Sequence, residues 1–91
     1  MLDTSKLEEK LASLRGLDFE TAETLTRRNP ANAAVVEVSV IKEFQARLAA
    51  LALAVPYEDI KELPLKQYAA VCQRVVNFLF ANSDDVTPAA N

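Results

Sequence analysis

Apolar positions recur every three or four residues along most of this chain, and that period predicts helices. Leu7, Leu11 and Leu14 line one face of a first segment, with Glu8, Glu9 and Lys10 opposite. Ser5 stands where an N-cap belongs, Glu8 holds the reciprocal capping-box position, and Gly16 supplies a stop. These signals predict a first helix over 5–15. Asp18 then caps a second over 19–28, with Glu20 and Glu23 near its start and Arg27 and Arg28 near its end. That charge order suits the helix dipole. Thr21, Thr24 and Thr26 lower its helical preference, because β-branched side chains lose rotamer freedom in a helix. Asn29-Pro30 ends it, since the residue before proline is pushed out of the helical region.

The next stretch reads two ways. Val36-Glu37-Val38-Ser39-Val40 alternates like a strand. Beyond it, Ile41, Phe44, Leu48, Leu51 and Val55 step by three and four. A lone short strand has no partner in this sequence with which to pair its backbone. The reading is therefore one long central helix over 31–54, roughly 36 Å at 1.5 Å per residue. Pro56 ends it, and Tyr57 to Lys61 forms a short turn. Leu63-Pro64 makes a second hinge, and a last helix follows over 65–80 with Leu65, Tyr68, Cys72, Val75 and Leu79 on its inner stripe. Asn82-Ser83-Asp84-Asp85 breaks that helix. The predicted organisation is all-α: a single domain of about four helices over 1–81, with a flexible, disordered tail over 82–91.

Projecting the last helix at ~100° per residue spreads its apolar residues over an arc of about 200°. The polar arc is narrow: Lys66, Gln67, Gln73, Arg74 and Asn77. A surface helix needs an apolar stripe only a little over ~100° wide, so the surplus must be covered. Either this helix is central with neighbours on both sides, or part of it meets a second chain. On the second reading Val71, Phe78 and Phe80 are left for that chain, because exposed contiguous apolar patches mark interaction sites. Tyr57 at the hinge, Tyr68 on the last helix, and Phe44 and Leu48 on the facing stripe complete the candidate protein-binding residues.

Composition narrows the function. The 91 residues are half apolar, and with a net charge of −3 the chain is a poor duplex binder. Arg27-Arg28 reads as a solvated helix end more than as a phosphate patch. The one cysteine, Cys72, rules out an intrachain disulfide, and the chain reads as cytoplasmic. Met1 leads into charged residues, so a secretory leader is not expected, and no apolar run reaches the ~20 residues of a membrane span.

Catalytic routes are closed one after another. The chain has no histidine, the commonest general base and metal ligand. One cysteine without histidine builds no zinc site. A single glycine makes no phosphate loop. Glu58, Asp59 and Glu62 cluster without the oxygen-ligand spacing of a calcium loop. Cys72 reads as an inert inner-face thiol. No enzyme, metal, cofactor or small-molecule substrate is expected.

One further pattern spans 40–80. Phe44-Gln45-Ala46 leads into a run of Ala and Leu, then Val55-Pro56-Tyr57-Glu58-Asp59-Ile60. Leu63-Pro64-Leu65-Lys66-Gln67-Tyr68 follows, and Val75-Val76-Asn77-Phe78-Leu79 closes it. This order resembles the bacteriophage tail assembly chaperone family of long-tailed phages and Mu-like prophages. The resemblance covers about 40 of the 91 residues. The first helix departs from it, because relatives commonly begin with an extended segment. The resemblance implies a non-enzymatic protein of the infected host cytoplasm. Its client would be the long, helical, aggregation-prone tape measure protein, and it would help bring tail tube subunits to that client. Two other readings stand beside it: a small homo-oligomeric structural or regulatory helical protein, and a small nucleic-acid-binding helical domain, against which the acidic balance weighs.

Overall fold

The computed structural model describes residues 2–90, with side chains for 2–81. The tail expected over 82–91 lies outside the residues described in full. Among the described residues the fold is all-helical, without strands: α1 (Leu7–Ala12), α2 (Gly16–Arg27), α3 (Lys42–Leu53), α4 (Tyr57–Lys61) and α5 (Leu65–Ala90). Two 3-10 turns, Pro30–Asn32 and Val38–Val40, fill the connection from α2 to α3.

Local chemistry sets these limits. Neither Ser5 nor Glu8 caps α1, which starts behind Lys6 without a side-chain cap. The Ser5 amide instead donates to the Asp3 carboxylate at 2.9 Å, and Glu8 turns to Arg74. At the other end the Ser13 hydroxyl donates to the Lys10 carbonyl at 2.7 Å, and α1 stops short of Gly16. Gly16 opens α2 instead of closing α1. Asp18 therefore sits inside the first turn, where its carboxylate accepts the Arg15 amide at 2.9 Å. That bond satisfies a donor at the helix start from within.

The long helix over 31–54 does not form, and α3 begins only at Lys42. Side chains close the segment before it into turns. Asn29 Oδ1 accepts the Ala31 amide at 3.1 Å. The Glu37 carboxylate accepts both the Ser39 hydroxyl at 2.6 Å and the Ser39 amide at 3.3 Å. Such local bonds compete with the helix ladder, and the β-branched run adds to the bias. Ile41 is extended and α3 follows it. At its far end Ala54 takes a left-handed conformation, φ 58°, and the Val55 amide returns to the Ala50 carbonyl at 3.0 Å. Pro56 and Pro64 precede α4 and α5 as the sequence predicts.

The core is built around α3, which packs against α1, α2, α4 and α5. Phe44, Gln45, Ala46, Leu48, Ala49, Ala50 and Ala52 are buried on it, a set that covers about two-thirds of the circumference at ~100° per residue. Alanines at four of these positions leave little bulk, so neighbours approach closely on several sides. The central helix is thus α3, and α5 packs on it, with Val71, Cys72 and Val75 of α5 in the buried cluster. Leu7 and Leu11 of α1, Ala22 of α2, Val38 and Ile60 complete the buried cluster.

Candidate functional site

Helices α1 and α5 converge with the start of α2 around an apolar groove. Its volume is about 190 Å³, and its lining is Leu11, Leu14, Arg15, Gly16, Phe19, Leu48, Phe78 and Leu79. Glu8 of α1 meets Arg74 of α5, and a turn further on Leu11 and Leu14 face Phe78 and Leu79. The two helices therefore run in the same direction here, and the short α1 ends before it can fill the space. Gly16 turns the chain across the end of the groove, and a Cβ placed there would meet nothing within 4 Å. Phe19 forms one wall and stacks edge-to-face on Phe44, with centroids 4.8 Å apart. That contact fixes the wall to the core, because aromatic pairs hold a preferred geometry. Leu48, only 3% exposed, lies at the base of the groove.

A second surface surrounds the hinge between α4 and α5. Tyr57, Lys61, Leu63, Leu65 and Tyr68 line an open hollow there. Leu65 is 82% exposed, whereas both tyrosines are half-buried. The Arg47 guanidinium carbon lies 4.1 Å from the centre of the Tyr57 ring, and Lys61 Nζ is 5.1 Å from it. These cation–π contacts hold the ring in place. Arg47 is itself set by Glu43 Oε2 at 2.9 Å, and Glu43 Oε1 takes Asn29 and Asn32 amides at 3.2 and 3.1 Å.

Burial shifts the two tyrosines and the cysteine near this surface upward from their ordinary values. Burial, then the neighbouring Glu43 charge, raises the Tyr57 phenol above its ordinary range. Burial and the Cys72 sulfur push Tyr68 up to about 12. Burial also raises the Cys72 thiol, which disfavours the reactive thiolate. Among the described residues no three potential metal-binding side chains come together, and no helix is long and apolar enough to cross a membrane.

The seven candidates from the sequence fall into separate places. Phe44, Leu48 and Val71 are core residues, at 0, 3 and 2% exposure. Val71 is thus not left for a second chain, because the fold itself buries it. Phe78 is half-buried on the groove, and Phe80, two residues on and about 200° around the helix, is 48% exposed. Tyr57 and Tyr68 come together at the hinge surface. Leu14 and Phe19 escaped notice as groove residues, although Leu14 continues the Leu7–Leu11 stripe past the end of α1. Compared with known protein families, curated proteins and solved structures, the chain gives no match.

Proposed function

We propose that this chain is a non-enzymatic helix-binding protein of the phage tail assembly chaperone kind, acting in the host cytoplasm on the tape measure protein. The observation that carries this reading is the groove between α1, α2 and α5, lined by Leu14, Phe19 and Phe78 and open to solvent. An apolar groove of that kind takes the anchors of an amphipathic helix at i, i+3, i+4 and i+7. The stretch that resembles the family, 40–80, coincides with α3, α4 and α5 as far as Phe80, a continuous packed unit. The acidic net charge supports solubility while an apolar client segment is held. Delivery of tail tube subunits to the loaded client belongs to the same reading.

Co-expression with a phage tape measure protein tests it. The intact chain raises the client's soluble yield and co-purifies with it. Phe78→Asp keeps the helical signal and lowers client recovery roughly 30-fold, the effect of losing one anchor worth ~2 kcal/mol. A client whose solubility and recovery do not respond to the intact chain overturns the proposal. A tight closed oligomer that ignores the client would favour self-association instead.

A further inference from the structure

The connection between α2 and α3 is fixed at both ends and held loosely between them. At its start Asn32 Nδ2 donates to the Thr26 carbonyl and to Glu43 Oε1, both at 3.1 Å. At its end Ile41 packs on the core, and its carbonyl accepts the Gln45 amide at 3.1 Å. Between these points the backbone–backbone hydrogen bonds stay within the segment. The Val35 amide donates to the Asn32 carbonyl, and the Val40 amide to that of Glu37. Among the described residues no backbone–backbone hydrogen bond ties 33–40 to a helix.

Two side chains reach across to this middle section. Arg27 Nη1 donates to the Val35 carbonyl at 2.7 Å, and Nη2 to the Val36 carbonyl at 3.3 Å. Gln45 Nε2 donates to the Ser39 carbonyl at 2.8 Å. Of the valines, Val38 is buried, while Val36 and Val40 are 94 and 59% exposed. The closed arrangement also carries a penalty. Gln45 is buried at 2% exposure, and its Oε1 has no hydrogen-bond partner among the described residues. Water reaching that oxygen would relieve the penalty, because a buried acceptor without a partner loses its hydration for nothing.

We infer that residues 33–40 form a releasable strap, latched by Arg27 and Gln45, that lifts Val38 out of the core while the helices stay folded. Opening hydrates Gln45 Oε1 and bares an apolar socket at the start of α3. Segments with few buried contacts and side-chain latches open below the global unfolding free energy. The inference is independent of the client named above.

Thiol labelling of a Val38→Cys chain tests it, with Cys72, buried at 0% exposure, as the internal reference. Mass spectrometry of peptides reads the two thiols separately. The introduced thiol is expected to react under native conditions at a rate insensitive to low denaturant, whereas Cys72 reacts only as the whole chain unfolds. Adding Arg27→Ala is expected to speed labelling at position 38 roughly tenfold, as loss of a charge-assisted bond would, with the rate there still insensitive to low denaturant. Cys72 labelling rises by a similar factor, because the latch is lost in the unfolded chain too, but stays denaturant-dependent. Equal, denaturant-dependent rates at the two thiols would overturn the strap. So would an Arg27→Ala chain whose labelling at position 38 is no faster than the parent's.

Discussion

Arg74 of α5 grips Glu8 of α1 with two nitrogens, Nε at 2.7 Å and Nη2 on the other carboxylate oxygen. The pair fixes the register of α1 along α5, and Leu11 and Leu14 reach Phe78 and Leu79 because of it. Its energetic worth is small, since both side chains are partly exposed, Glu8 at 48%. Glu8→Gln is expected to cost about 0.5 kcal/mol, the range for exposed pairs. Chemical denaturation measures that cost. A double-mutant cycle with Arg74→Met separates the pair from each residue's own packing.

Glu43 has a larger structural duty. Burial raises its carboxyl, but hydrogen bonds from Arg47, Asn29 and Asn32 and the Arg47 charge outweigh this, so its pKa falls below the ordinary 4.5. A carboxylate depressed on folding contributes stability that is complete above its unfolded value. That contribution fades as pH falls from 4.5 through the lower folded value. Melting temperature should therefore drop on acidification below 4.5, and Glu43→Gln should flatten that part of the profile. Glu8, lowered first by the Arg74 hydrogen bond, adds to the same window. A thermal melt series in both chains reads the difference.

Ala54 ends α3 with φ 58° and ψ 44°. An L-residue there crowds its Cβ against the carbonyl, at ~1–2 kcal/mol. Glycine removes this cost but loses ~0.5–1 kcal/mol through its freer unfolded chain. Ala54→Gly should stabilise the protein by about 0.5–1 kcal/mol, seen as a higher denaturation midpoint with an unchanged slope. Ala54→Val should do the reverse.

Helical period and proline position made the class of fold legible, along with the hinges at Pro56 and Pro64. The stretch 31–41 was misread because periodicity measures side-chain spacing, whereas Glu37–Ser39 and Asn29–Ala31 bonds close the backbone locally. The surplus apolar arc on α5 was real in the sequence. It could not say which side a neighbour occupies, and the packed helices bury Val71. The groove was illegible for a different reason. Leu14, Phe19 and Phe78 meet only because α1 stops early and the Glu8–Arg74 pair aligns two distant helices.

Burial divides the apolar candidates into two kinds that substitution tells apart. Phe44 is fully buried and braces Phe19, so Phe44→Ala removes packing on both α2 and α3. The expected loss is ~3–5 kcal/mol, a large share of the stability available to a domain with so thin a core. Phe80 is 48% exposed, and Phe80→Ser should change stability by no more than about 0.5 kcal/mol. If Phe80 contacts a client or a second copy, the same variant weakens that association with the melt unmoved. The two readouts together, unfolding midpoint and partner recovery, sort each aromatic into core or surface. A Phe80→Ser chain that melts far below the parent would place that ring in the fold itself.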